Sequence, residues 1–284
     1  MASPDPPPND LLAYGAGEWQ RYSFEDKLTR ALEHLHAAQA AVTDFLERDP
    51  GTTVLEQNGP KGEMAIWYRA FMQPDPKIAP PIFDCIHNLR QALDHLAYRL
   101  AVTVSGVEPP PNEKSCGFPI YGNALSDDHL RSKIGDPTRI PAEMRAALER
   151  AQPHAGGRAK LLAVLHDLDI LDKHRFPPLV TVGAIVSDVD IRLLPAEWVD
   201  GPRIGPVEDG AEIIRWKLKP GTHEVDMQFR CVNQIAFGKP SPAEGINPLD
   251  FLQDTREYIR TEIVSSFAQF LWPPAPAHAA IRLE

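Results

Sequence analysis

The chain has 284 residues, 43% of them hydrophobic and 24% charged, with a formal net charge of −10. This length and balance predict one or two globular domains and exclude a chain that is disordered throughout. The acidic excess repels polyanions at long range, which argues against a general nucleic-acid coat while leaving room for a small local basic site.

Proline is the outlier at 29 residues, about twice its usual ~5% share. It is scattered, so neither collagen nor a long polyproline rod is compatible with the sequence. Residues 1–20 read as a proline-rich flexible arm. Their start carries no basic and apolar leader pattern, and no apolar run approaches the ~18 residues of a membrane span. The expected location is cytoplasmic, without membrane contact.

Ser23 opens the first helix signal, with Asp26 at capping-box spacing. Phe24, Leu28, Ala31, Leu32, Leu35, Val42, Phe45 and Leu46 recur on one helical face over 24–48, and Asp49-Pro50-Gly51 stops it. Glu63 to Met72 is rich in Ile, Trp, Tyr and Phe and reads as a strand. A second long helix over 81–103 carries the line Ile82, Ile86, Leu89, Leu93, Leu96 and Leu100. Val104 to Gly122 reads as an ordered loop, followed by short helices near 126–134 and 141–152. A third core helix covers 158–173, with Leu161, Leu162, Leu165 and Leu168 inward.

Strands are predicted at Leu179–Val186, Val189–Leu194, Ala211–Leu218 and His223–Ile235, the last two joined at Pro220-Gly221. Along 223–235 apolar and polar residues alternate, as in an antiparallel sheet with one wet face. Asn247-Pro248 caps a final helix to about Leu271, which Pro273-Pro274 ends. The expected fold class is α+β, in one domain over 21–272. A helical bundle core (24–48, 81–103, 158–173, 248–271) carries an inserted antiparallel β-sheet that the 63–72 strand joins. Residues 273–284 form a tail.

Two segments hold more polar chemistry than packing requires. In the first, Asp84, His87, Asn88, Gln91, Asp94, His95 and Tyr98 share one broad helical face opposite the apolar line. A merely solvated face is usually rich in Glu and Lys, not in His, Asn, Gln and Asp. Arg90 stands one turn before Asp94 and can pair with it. In the second, His166, Asp169 and Lys173 share a face, and Lys173, His174 and Arg175 lie where the helix dipole favours cations. Asp172 in that last turn is disfavoured and needs a cation. Arg90 is the expected partner, which makes 81–103 and 158–173 neighbours.

A metal centre needs three or four converging ligands. His87, His95, His166, Asp169 and His174 are the candidate set for a divalent transition metal, although their spacing does not match the Glu-x-x-His pair of di-iron bundles and no His-Glu-x-x-His occurs. Phosphate-binding glycine loops and Gly-x-Ser-x-Gly are absent. Cys85, Cys116 and Cys231 form no Cys-x-x-Cys pair and read as buried reduced thiols, with a catalytic Cys116 as the sharper alternative.

The run Ile86-His87-Asn88-Leu89-Arg90-Gln91-Ala92-Leu93-Asp94-His95-Leu96-Ala97 resembles a widespread group of uncharacterised bacterial proteins with a His-Asn-Leu-Arg-x-Ala-Leu-Asp-His-Leu helix. The resemblance continues in Phe118-Pro119-Ile120 and in Leu168-Asp169-Ile170-Leu171-Asp172-Lys173-His174-Arg175. It brings architecture and no established activity. Arg90, four residues, then His95 also looks like the Arg-x(4–6)-His motif of HEPN ribonucleases. Those are helical bundles that often cut RNA as dimers without metal.

That second resemblance implies a metal-independent ribonuclease, in a toxin or phage-defence role, with RNA as partner, a homodimer as assembly and no cofactor. Arg90 would hold a phosphate, His95 would act as acid or base, and Asn88 and Asp94 would orient them. His87, Asp172, Lys173 and His174 are the further binding residues. One alternative is a metal-dependent helical enzyme using the ligand set above. The other is a non-catalytic ligand- or protein-binding module whose polar residues tie helices together.

Overall fold

The computed structural model describes residues 23–58, 62–173, 178–185, 196–201, 206–220 and 231–271. The sequence-predicted arm over 1–20, the tail over 273–284, the Val189–Leu194 strand and the 223–230 part of the last predicted strand lie outside those residues. The class is α+β with a helical core, as the sequence predicts.

Helix α1 (Ser23–Leu46) buries Phe24, Leu28, Ala31, Leu35, Ala38, Val42 and Phe45, a three-four spacing that makes one stripe. Helix α2 (Ala79–Ser105) buries residues on a much broader arc, from Ile82 to Val104, because it lies among α1, α5, α6 and α7. Gly106, in the left-handed conformation, ends it. Short helices α3 (Asp127–Lys133) and α4 (Ala142–Arg150) follow. Helix α5 (Lys160–Asp172) starts later than the apolar pattern alone indicates, since 3-10 turns at Pro153–Ala155 and Gly157–Ala159 precede it. The C-terminal helical run is α6 (Pro248–Tyr258), one π segment (Ile259–Val264) and α7 (Ser265–Leu271). Asn247 caps it by accepting from the Leu249 and Asp250 N–H groups.

The strands are β1 (Gly51–Asn58), β2 (Glu63–Ala70), β3 (Leu179–Ile185), β4 (Ala196–Asp200), β5 (Pro206–Val207), β6 (Glu212–Leu218) and β7 (Cys231–Phe237). The single inserted sheet of the sequence expectation is instead two antiparallel sheets, ordered β1-β2-β6-β4 and β5-β3-β7. The 63–72 strand does join a strand of the 179–235 region, through β2–β6 pairing. The split has a packing cause. Tyr68 of β2 is fully buried, and its ring lies directly over Gly183 of β3. The two sheets therefore meet through side chains and not edge to edge.

Ile66, Tyr68, Val207, Ile213, Ile214 and Trp216 form the small core of this region. The Tyr68 hydroxyl donates to Asn233 Oδ1 at 2.7 Å, and Asn233 Nδ2 donates to the Gly51 carbonyl at 2.9 Å. β7 also reaches the helical core: its Phe237 packs against Phe83 of α2 and Phe251 of α6.

The closeness of Tyr68 and Gly183 generates the first prediction. A Cβ at position 183 would stand 2.6 Å from the Tyr68 ring and 2.9 Å from the Cys231 sulfur. Gly183→Ala is expected to destabilise the fold by about 1–3 kcal/mol through overpacking. Urea unfolding of the two proteins measures it, and equal midpoints would refute the close contact.

Candidate functional site

The polar residues of α2 are the natural centre of any site, and they radiate in three directions. Toward α5, His87 Nδ1 lies 3.0 Å from Asp169 Oδ1. Asp169 is buried, while His87 is half exposed. A carboxylate only accepts, so Nδ1 carries the proton and Nε2 presents a lone pair. Gln91 Nε2 lies 2.6 Å from that nitrogen and donates to it. Lys173 Nζ reaches the second Asp169 oxygen at 3.1 Å.

Toward the 116–121 loop, Arg90 and Asp94 clasp one peptide. Arg90 Nη2 donates to the Phe118 carbonyl at 3.2 Å, and the Phe118 N–H donates to Asp94 Oδ1 at 2.9 Å. Arg90 Nη1 lies 2.9 Å from the same Oδ1. That contact is an ion pair without hydrogen-bond alignment, since Nη1 is buried with no aligned acceptor. A Cβ at Gly117 would come within 3.0 Å of Asp94 Oδ1, so glycine lets the loop approach this closely. Gln152, fully buried, completes the grip: its amide nitrogen donates to the Pro119 and Leu148 carbonyls, and its oxygen accepts the Tyr121 N–H.

Toward α1, His95 sits against Ser23 and Lys27. Its Nδ1 is buried and unpartnered. Burial first, then the Lys27 charge, hold its pKa below the ordinary value, so the ring is neutral near pH 7.

Several sequence expectations change accordingly. Arg90 and His95 do not share a face. Five residues rotate a helix by about 500°, leaving them roughly 140° apart. Asn88 does not orient either residue, because its amide donates to the Asp84 carbonyl of its own helix at 2.8 Å. Asp172 is not the partner of Arg90, whose guanidinium is taken by Asp94 and Phe118. The Asp172 Oδ1 is instead buried without a partner, and burial first, then the Asp169 charge, push its pKa up. α2 and α5 are neighbours as expected.

The four described members of the metal set, His87, His95, His166 and Asp169, do not assemble: among the described residues no three His, Cys, Asp or Glu side chains group to hold a metal ion. His95 faces α1 while His87 faces Asp169. His166 has a buried, unpartnered Nδ1, and its pKa is lowered by burial and then by the Arg90 charge. His174 and Arg175 lie outside the described residues. A reactive Cys116 is not supported either, since burial pushes its thiol up to about 11. A surface depression of about 280 Å³ is lined by Val104, Asn112, Arg131 and Arg139, and not by Arg90, His87 or His95.

Sequence reasoning passed over Gln152, and it marked Phe118-Pro119-Ile120 as a motif without the role of the Phe118 peptide as the group that Arg90 and Asp94 hold. With them, the three motifs of the bacterial resemblance become one knot: the α2 motif grips the 118–120 motif and the α5 motif. Comparison of the chain with protein-family models, curated proteins and solved structures finds no match in any of the three. Among the described residues, no helix is long and apolar enough to cross a membrane.

Two predictions follow from this geometry. Asp94→Ala strands the Arg90 guanidinium and the Phe118 N–H together, and is expected to cost about 2–3 kcal/mol. Asp94→Asn keeps an acceptor for Phe118 and is expected to cost less, as chemical denaturation of both variants would register.

Asp172 behaves in the opposite sense. Its folded-state pKa lies above the ordinary 3.8, so the carboxylate opposes folding at neutral pH and ceases to do so as pH falls toward 3.8. Asp172→Asn is expected to raise the denaturation midpoint at pH 7, with the gain shrinking toward pH 4. A midpoint that falls at pH 7 would contradict the unpartnered burial.

Proposed function

We propose that the protein is a non-catalytic binding module whose signature residues serve architecture. One observation carries this reading: Arg90 and Asp94 together hold the Phe118 peptide, His87 turns to Asp169 of α5 and His95 to the start of α1, so the Arg90–Asp94 pair and the two histidines point to three different parts of the fold. The Arg90 guanidinium is held against Asp94 and the Phe118 carbonyl with only 12% of its side chain exposed, which leaves it little surface to offer a phosphate. A ribonuclease of the Arg-x(4–6)-His type needs its Arg and His on one substrate, and the commitment of Arg90 to the Phe118 loop and of His95 to α1 weighs against that chemistry.

A second reading has an observation of its own. Asp169 fixes His87 in the tautomer of a general base, with Nε2 turned outward under the amide of Gln91. If Gln91 swings away, the seam offers a metal-independent acid–base pair with Lys173 beside it for an anionic substrate.

Incubation with single-stranded RNA, with and without EDTA, separates these. The binding-module reading expects no cleavage in either arm. It also expects His95→Ala and Arg90→Ala to melt earlier, by about 2–4 °C per kcal/mol lost. Cleavage that survives EDTA and disappears in a normally melting His87→Ala would replace the module with the acid–base enzyme. Cleavage abolished by EDTA would point to a metal enzyme.

A further inference from the structure

We propose that the outer edge of β1, which no strand among the described residues covers, pairs with β1 of a second copy of this chain, antiparallel and centred on Leu55. The inference concerns the sheet alone and is independent of the α2 seam.

The hydrogen-bonding phase of the edge follows from its neighbour. Tyr68 donates its N–H to the Ala211 carbonyl and accepts the Gly210 N–H, both at 2.9 Å, so its backbone groups point away from β1. Alternation then turns Glu63, Ala65, Trp67 and Arg69 toward β1. Their partners there are Asn58, Glu56, Val54 and Thr52. Thr53, Leu55 and Gln57 therefore direct their N–H and C=O groups outward, along a strand that lies at the end of its sheet. At Gly51 the carbonyl is already taken by Asn233.

Of the other edges among the described residues, β7 is tied at Phe237 to the backbone of Gly245 and Ile246, and β4 and β5 are blunted. β4 has five residues and a register shift between Ala196 and Trp198. β5 has two residues. β1 has eight residues in unbroken register with β2, and it contains neither Pro nor Lys. Short strands, bulges, prolines and lysines are the devices that protect an edge. Leu55 is 56% exposed and Val54 37% exposed, although Leu55 pairs with Ile66 on the side of the small core.

The strand is complementary to itself. Around a two-fold axis at Leu55, Thr53 meets Gln57 and Leu55 meets Leu55 of the second copy, all as hydrogen-bonded pairs. The three outward residues of each strand are then matched in full. Val54 falls opposite Glu56, so the one charged side chain of the strand faces no like charge. The two Leu55 side chains meet on the face that continues into Met64 and Ile66, and the two small cores join across the axis.

Cross-linking tests this at a single residue. In a hydrogen-bonded antiparallel pair the Cα atoms lie about 5.5 Å apart, within the span of a disulfide. Full-length Leu55→Cys is expected to form a covalent dimer on mild oxidation. Val54→Cys, whose counterpart lies diagonally at about 8 Å, is expected not to. Wild type oxidised in parallel gives the background from Cys85, Cys116 and Cys231. In sedimentation, wild type is expected to dimerise with rising concentration. Leu55→Lys, with two like charges on the axis, is expected to do so roughly tenfold more weakly while melting normally.

A wild type monomeric throughout with no Leu55→Cys cross-link overturns the proposal. So does equal cross-linking at 54 and 55, or a dimer indifferent to Leu55→Lys. Capture of an extended peptide by a monomeric wild type would assign the edge to another chain and overturn it equally.

Discussion

The Phe118 peptide, held at its N–H by Asp94 and at its C=O by Arg90, is the contact on which the organisation of the helical core rests. Backbone groups in a buried loop must find partners or lose several kcal/mol. The 116–121 loop has no strand to pair with. Cys116 and Gly117 donate to backbone carbonyls, and Phe118, Pro119 and Tyr121 take their partners from side chains, with Arg90 and Asp94 on one flank and Gln152 on the other. Once the loop is docked, Phe118 fills the interior against Phe267 of α7. α2 is thus bound both to its neighbouring helices through its apolar arc and to the loop through its polar one.

The same logic accounts for the chemistry of α2. A helix surrounded on most sides has little water to offer its polar residues, so each must meet a group of the fold. His87 meets a buried carboxylate and His95 meets the start of α1. A cluster of His, Asp, Asn and Arg on one helix is also what a catalytic site looks like in sequence. The two cases differ in direction: an active site converges on one point, whereas these side chains diverge.

The strongly periodic helices were legible because their stripes are long: Phe24 to Phe45, Ile82 to Leu100 and Phe251 to Phe267 leave no competing pattern. β1 was not legible. A strand exposed along most of its length has no reason to alternate, and Thr52 to Asn58 shows no period. The pairing of Arg90 with Asp94 was readable from helix geometry, and so was the angular separation of Arg90 from His95, which needs only their spacing. The partner of Asp172 was misjudged because the dipole argument concerns a solvated helix end. In the fold that carboxylate is half-buried, and desolvation dominates. Gln152 had no signal, since the amides it satisfies belong to a loop whose path only the tertiary structure defines.

The division between a large helical core and a small sheet core also bears on how the native state fluctuates. Among the described residues the sheet core contains six buried hydrophobic residues, and it is fastened to the helical core chiefly where Phe237 passes between α2 and α6 and where Thr181 donates to the Met72 carbonyl. Opening the sheets exposes far less apolar surface than opening α2, so the free energy of that excursion is a fraction of the global value. Burial so unevenly divided favours local opening of the sheets ahead of the helical core, and amide protons of β2 and β6 are expected to exchange before those in the middle of α2.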